Sequence, residues 1–345
     1  CPCALVISIP LSFFGGIGGA SKYGILVKGG NYLEALADTD VVVFDKTGTL
    51  TKGSFAVIEV NAVGQAEEEL LEWAAYAEHH SSHPIAQSLK MAFGKNIDEK
   101  EIGSVTELAG FGLETVVKGR TVLAGNSKLL KQKGIEHQIS DTVGTIIYFA
   151  LDGQYIGNIV IADELKPDAK DAISALKQVG VKRAIMLTGD VDPVGRKVAA
   201  SLGIDEVFSE LLPTDKVDKL EEILNNKHDG KKVAFVGDGV NDAPVLARSD
   251  VGIAMGALGS DAAIEAADVV IMTDEPSKIA IAIKIARKTL TIAKQNIVLA
   301  LGVKGIVMVL GALGMANMWA AVFADVGVAM LAILNAIRVL NAKYI

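Results

Sequence analysis

The residues of this 345-residue chain best suited to chemistry are aspartates that follow short apolar runs. Asp45 opens the heptapeptide Asp-Lys-Thr-Gly-Thr-Leu-Thr directly after Val41-Val42-Val43-Phe44. A carboxylate held at a strand end can attack phosphorus once a cation offsets the repulsion, which makes a covalent aspartyl phosphate possible. A second cluster, Gly237-Asp238-Gly239-Val240-Asn241-Asp242, offers hard oxygen ligands of the kind Mg²⁺ takes. Thr188 and Lys216 could contact phosphoryl oxygens as a hydroxyl donor and a point charge. No Gly-x-x-x-x-Gly-Lys-Ser/Thr string occurs, which argues against a P-loop mechanism.

These residues need a scaffold that brings strand ends together. Val/Ile-rich runs at 41–44, 184–187, 233–236 and 251–254 look like strands buried on both faces, and each of the first three ends in polar turn residues. Helical stretches at 168–179, 192–202 and 215–226 intervene, so the spacing predicts a doubly wound parallel sheet with its ligand at the carboxyl ends of the strands. Between 53 and 157 the pattern changes to helices at 66–77 and 84–93 and short strands at 104–108, 113–117, 121–124 and 145–150. That stretch reads as an α+β domain inserted after the first strand, with its two ends close in space.

Composition adds a third part. Half the residues are hydrophobic, 21% are charged, the net charge is −8 and the mean hydropathy is +0.38. One water-soluble globule rarely combines these values, so the apolar residues are expected in blocks. Residues 1–21 carry no charge, 295–313 only Lys304, and 315–337 only Asp325. Each is long enough to span the bilayer core, which takes about 20 apolar residues. Flanking Lys22, Lys28, Arg287, Lys288, Lys294, Arg338 and Lys343 put the polar middle in the cytoplasm. Lys304 and Asp325 are equidistant from the middle of the uncharged 311–318 turn, so a hairpin sets both about 16 Å deep. Charges at that depth are costly and read as functional. Cys1-Pro2-Cys3 begins the first span, and thiolates are soft ligands for Zn²⁺, Cd²⁺, Pb²⁺ or Cu⁺. Two cysteines make no disulfide framework, and the acidic balance argues against a nucleic-acid partner.

The heptapeptide at 45–51, Thr188-Gly189-Asp190 and Gly237-Asp238-Gly239-Val240-Asn241-Asp242-Ala243-Pro244, in that order, resemble the P-type ATPases. The resemblance implies a haloacid-dehalogenase-like sheet domain in which Asp45 is phosphorylated, Lys46 and Thr47 belong to its loop, and Thr188, Gly189 and Asp190 form a second loop. It further implies that Asp45, Asp238 and the Thr47 carbonyl hold Mg²⁺, that Asn241 and Asp242 support the site, and that Lys216 stabilises the phosphoryl group. In the insert, Ser82-His83-Pro84 is similar to the Ser-Glu-His-Pro signature of the heavy-metal branch, with Ser82 where Glu is usual. By that likeness Glu78, His83, Gly110, Gly112, Gly125 and Asn126 bind ATP. Cys-Pro-Cys with Lys304 in the next span and Asp325 in the last resembles the zinc/cadmium/lead exporters rather than the copper branch. Cys1, Cys3 and Asp325 would then bind the divalent ion, and Lys304 would act as a counter-charge.

The expected organisation is a transmembrane helix and extension at 1–37, a phosphorylation domain at 38–52 and 158–277, a nucleotide-binding domain at 53–157, and two transmembrane helices at 278–345. It implies a multi-pass protein of the cell membrane with cytoplasmic ATP-hydrolysing domains, exporting Zn²⁺, Cd²⁺ or Pb²⁺ through an aspartyl phosphate. Alternatives are a Cu⁺ pump, a membrane-anchored haloacid-dehalogenase-type phosphatase and a non-catalytic metal-binding membrane protein. Because the chain opens on Cys and has no Thr-Gly-Glu, an actuator domain and earlier helices of the same transporter are expected elsewhere.

Overall fold

The computed structural model describes residues 3–81, 83–140, 142, 144–238, 242–256 and 261–340, the side chains of residues 3 and 261–263 excepted. Cys1, the Cys3 side chain, Ser82 and Asn241 therefore lie outside the described residues. The chain divides into two compact units, Cys1–Leu50 with Lys166–Ile345, and Thr51–Leu165.

The first unit is built on a seven-stranded sheet in the order Ile25–Val27, Val269–Ile271, Val251–Met255, Lys232–Gly237, Thr39–Asp45, Arg183–Leu187, Glu206–Phe208. Neighbours run parallel, except that Ile25–Val27 pairs antiparallel with Val269–Ile271 at one edge. Every residue of the central strand Thr39–Asp45 is buried, which is why its sequence shows an unbroken apolar run instead of alternation. The helix Ala169–Gln178 buries Ala169, Ala172, Ile173 and Leu176, one stripe at helical spacing. Register aligns the strand ends. Asp45 pairs with Leu187 and Phe44 with Val236, so the residues after three adjacent strands emerge side by side.

The second unit is a six-stranded antiparallel sheet in the order Thr51–Ala62, Gln154–Leu165, Thr145–Leu151, Arg120–Gly125, Gly112–Val117, Ile102–Leu108. Helices Glu67–Ala77 and Pro84–Phe93 contribute Leu70, Ala74 and Leu89 to a core with Val122, Phe149 and Ile159. Sequence patterning shows four of the six strands but not the two longest. Thr51–Ala62 carries Lys52, Gly53, Ser54 and Glu59 and is mostly exposed or half-buried, so it has no apolar alternation to read. Thr51 nevertheless pairs with Leu165 where the chain leaves and rejoins this unit. Within the first unit, the Lys166 N–H donates to Leu50 O at 2.9 Å.

Among the described residues three helical segments are long and apolar enough to cross a membrane, Ala4–Ser21, Lys278–Ala312 and Met318–Leu340. The second outruns its apolar window. Its 35 residues extend about 52 Å, against about 30 Å of hydrocarbon. Its first turns bury Ile279, Ala280, Ile283 and Ala286, and Arg287 fastens it to the sheet domain. Arg287 Nε donates to Ala37 O at 3.0 Å, one Nη donates to Thr39 O at 3.1 Å, and the other donates to Val179 O. Residue 295 thus marks where the helix becomes apolar, while the helix itself begins at Lys278. The third span is not uniformly α-helical. Phe323–Gly327 form a π-helical turn that contains Asp325, a feature common at functional sites and invisible in hydropathy.

Candidate functional site

Asp45 ends the central strand and is 5% exposed. Lys216 Nζ lies 2.5 Å from Asp45 Oδ1 and 3.0 Å from Asp242 Oδ1. That lysine comes from the first turn of Pro213–Asn225, whose start is fixed by Pro213 and by Asp215 Oδ2, which accepts the Leu212 N–H at 2.9 Å. Asp238 follows the neighbouring strand and lies against Gly48. A methyl at Gly48 would strike the Asp238 carboxylate, and its φ of +73° also calls for glycine. Burial pushes the Asp45 pKa up to about 6; Asp242 adds to the rise, Lys216 opposes it, and Asp238 raises it further. Burial works against the charge on Lys216, yet Asp45 and Asp242 outweigh it and hold that pKa above the usual lysine value. Both shifts have one origin: a single ammonium shared among several carboxylates is well compensated, while each carboxylate is not.

The second predicted loop joins the first through an ion pair between Lys46 Nζ and Asp190 Oδ2, at 2.5 Å. Thr188 is buried, and its Oγ1 accepts the Asp190 N–H at 3.1 Å, so its own proton remains available to an acceptor. Gly189, between them, passes beside the Leu211 carbonyl. Thr47 is exposed and Asp242 buried. Sequence reasoning missed Lys166. Its buried Nζ donates to Gly48 O at 2.8 Å and to Asp274 Oδ1 at 2.7 Å, bracing the loop after Asp45. The only signal for it is a lone lysine before Pro167 at a strand end.

In the second unit one cavity of about 530 Å³ is lined by Glu78, His83, Gly110, Gly112, Gly125 and Asn126 together. Gly112 has φ +141° and runs so close to Ala124 O and Gly125 that no side chain fits. Asn126 is already engaged. Its Nδ2 donates to Gly110 O at 2.9 Å and its Oδ1 accepts the Leu129 N–H at 3.1 Å, so it braces the glycine turn. His83 caps the helix Pro84–Phe93, with Nδ1 accepting the Ile85 N–H at 3.3 Å. That bond assigns the proton of a neutral ring to Nε2, which remains a donor. Burial raises the Glu78 pKa; Ser81 and His83 pull it down and Glu107 adds to the rise.

In the membrane-spanning part, Lys304 Nζ lies 3.6 Å from Asp325 Oδ1, consistent with the equal depth that the hairpin arithmetic gives the two residues.

This arrangement, an aspartate at the carboxyl end of a central parallel strand facing a lysine and two further aspartates, defines a class. The chain belongs to the haloacid dehalogenase-like hydrolase family, whose model matches residues 39–250. Within that class its sequence is similar to heavy-metal-transporting ATPases. It is 56% identical over 344 residues to the cadmium, zinc and cobalt-transporting ATPase of Bacillus subtilis (strain 168), which covers 99% of this chain and 49% of the relative. It is 57% identical over 341 residues to the zinc-transporting ATPase of Synechocystis sp. (strain ATCC 27184 / PCC 6803 / Kazusa), covering 98% and 47%. A crystal structure of a zinc-transporting PIB-type ATPase in the E2.Pi state superposes with a TM-score of 0.84 at 36% identity, over 99% of this chain and 56% of that one. The chain spans about half the length of the curated relatives it matches. It is a membrane protein whose catalytic domains are cytoplasmic.

Proposed function

We propose that this chain carries the phosphoryl-transfer machinery and part of the ion site of an ATP-driven exporter of divalent heavy-metal ions, zinc and cadmium foremost and lead with them. The observation that carries the reading is Lys216 held between Asp45 and Asp242 at the ends of adjacent parallel strands. Asp45 Oδ attacks the γ-phosphorus of ATP, a new O–P bond forms, and the bond to the β-γ bridging oxygen breaks so that ADP leaves with the electron pair. Lys216 and the Thr188 hydroxyl offset charge on the equatorial oxygens. Lys46, paired with Asp190, ties the nucleophile's loop to the Thr188 loop. Thr47 stands two residues beyond the nucleophile, where phosphatases of this class keep an acid/base aspartate. A threonine there favours a lasting phosphoenzyme, which a pump needs.

Among the described residues no three His, Cys, Asp or Glu side chains gather closely enough to hold an ion unaided. Mg²⁺ usually takes one or two carboxylates and completes its shell with phosphate and water, so the hard-oxygen donors present fit it. Asp45, Asp238 and the Thr47 carbonyl are the residues that would hold it. When bound, Mg²⁺ offsets charge shared between the phosphate and the carboxylates. The nucleotide is assigned to the cavity of the second unit, with the His83 Nε2–H and the Glu78 carboxyl towards the base, and the glycines permitting close approach of the backbone. Asp325 and the cysteines supply ion ligands, and Lys304 supplies the positive charge that promotes release.

The deciding experiment measures acid-stable ³²P incorporation from labelled ATP, and metal-stimulated ATP hydrolysis by a full-length transporter containing this chain. Label should vanish in Asp45→Asn, and Zn²⁺, Cd²⁺ and Pb²⁺ should stimulate. Stimulation by Cu⁺ alone, unchanged in Asp325→Ala, would overturn the ion assignment.

A further inference from the structure

Asn296 lies inside the apolar part of the long helix and is completely buried. Its Nδ2 donates to Ala332 O at 3.0 Å, and its Oδ1 accepts from Asn335 Nδ2 at 2.9 Å. Both partners belong to Val328–Leu340, the helix that continues from the turn holding Asp325. We propose that Asn296 is the positioning residue that sets the register of the long helix against the last one, and hence the depth at which Lys304 faces Asp325.

The contacts form a ladder. Asn296 meets Ala332; Ala300, four residues on, shares a buried cluster with Val328, four residues back; Lys304, four further on, pairs with Asp325, three further back. Every rung therefore belongs to one antiparallel register. The apolar rung at Ala300 and Val328 chooses it less sharply, because hydrophobic burial is non-directional. The bond to Ala332 O does not choose it alone, since any helix carbonyl can accept. Asn335 does. It is the only side-chain amide in Val328–Leu340, so slipping one turn, about 5.4 Å, leaves the fully buried Asn296 Oδ1 without that donor. Arg338, whose guanidinium donates to Asn335 Oδ1 at 2.8 Å, orients the amide. The first span, Ala4–Ser21, gives this layer no side-chain hydrogen bond at Ser8. Ala4 shares the Ala300–Val328 cluster, which sets Ser8, one turn along, near the Asn296 layer, yet the buried Ser8 hydroxyl has no hydrogen-bond partner.

The register is a property of the hairpin whatever ion the transporter carries; only its consequence for ion binding rests on the proposed function. Oxidative cross-linking reads the register alone. In the full chain in lipid, with Cys1→Ser and Cys3→Ser, Ala300→Cys is paired in turn with Ala324→Cys, Val328→Cys and Ala332→Cys. The 300–328 pair should dominate. Asn296→Leu and Asn335→Leu should each lower the 300–328 yield relative to the two flanking pairs by about tenfold, the scale of a lost intramembrane side-chain bond. Moving the amide one turn, with Leu331→Asn in the Asn335→Leu chain, should make 300–324 the main product, a shift that loss of stability alone does not produce. If 300–328 remains dominant in every inserted variant, Asn296 does not set the register. If none of the variants inserts, its role is in folding, and the proposal fails.

Discussion

Lys216 Nζ sits 2.5 Å from Asp45 Oδ1, against the carboxylate that the proposed chemistry converts into an acyl phosphate. The contact is double-edged. In the resting protein it neutralises part of a carboxylate cluster, and when Asp45 acquires a phosphoryl group the same ammonium faces the charge that develops there. Lys216→Met should slow phosphoenzyme formation by about 10²–10³, the usual cost of one preorganised charge stabiliser. Rapid-quench labelling at saturating ATP checks it. A rate within a factor of a few of the unsubstituted protein would remove Lys216 from the reaction.

The raised pKa of Asp45 makes a prediction about stability. Its folded value of about 6 lies above the ordinary 3.8, so the folded chain holds this proton more tightly than the unfolded chain does. Stability from this group is therefore full below about pH 4 and is lost as pH rises through about 6. Asparagine cannot ionise and escapes that loss. In EDTA, Asp45→Asn should stabilise the fold by about 1–3 kcal/mol at pH 7.5, with the gain shrinking towards pH 4. Chemical denaturation across that pH range measures it, and a pH-independent difference would contradict the burial argument.

The sequence shows the sheet domain well because its strands are buried on both faces, and continuous runs such as Val41–Phe44 leave no ambiguity. The ends of those runs carry the site residues, so Asp45, Thr188 and Asp238 can be placed before any coordinate is known. Thr51–Ala62 escapes because pairing with Gln154–Leu165, rather than a buried face, makes it a strand. Lys166 and Arg287 escape for a related reason. Their acceptors are backbone carbonyls, Gly48 O for one and Ala37, Thr39 and Val179 O for the other, and carbonyls have no letter in a sequence. The Lys304–Asp325 pair is legible because hairpin geometry turns position in the chain into depth, whereas the π turn around Asp325 leaves no pattern.

His83 combines two jobs that substitution can separate. Its Nδ1 caps the helix Pro84–Phe93, and its Nε2 is the edge assigned to the nucleotide base. Asparagine caps a helix well but lacks an imidazole. His83→Asn should keep the thermal stability of the chain while weakening ATP binding about tenfold, and His83→Ala should lose both. Calorimetric titration with a non-hydrolysable ATP analogue distinguishes them. Equal ATP affinity in the asparagine variant would confine His83 to capping.

Arg287 joins the long helix to three carbonyls of the sheet domain with a planar fork that lysine cannot reproduce. Arg287→Lys should therefore behave much like Arg287→Ala, each destabilising the first unit by about 2–3 kcal/mol, because buried carbonyls lose charged donors. Hydrogen exchange should localise the loosening to residues 37–39 and to the end of Ala169–Gln178. Unchanged protection there would mean that the helix is held by apolar packing alone.

Lys304 and Asp325 make opposite predictions although they form one pair. If Asp325 binds the ion and Lys304 competes for it, the lysine is a resident rival to the cargo, and its removal should strengthen binding while impairing release. Lys304→Met in a full-length transporter should lower the zinc Kd by on the order of tenfold, the equivalent of about 1.4 kcal/mol, and should reduce turnover at saturating zinc. Asp325→Asn should instead abolish high-affinity binding. A purely structural ion pair predicts something else, because each single substitution then breaks the pair and damages folding, with the double substitution Lys304→Met and Asp325→Leu recovering it. Zinc binding measured beside thermal unfolding on the same three variants separates the readings: tighter binding in Lys304→Met at near-normal stability supports competition, while parallel loss of binding and stability in both single variants supports structure.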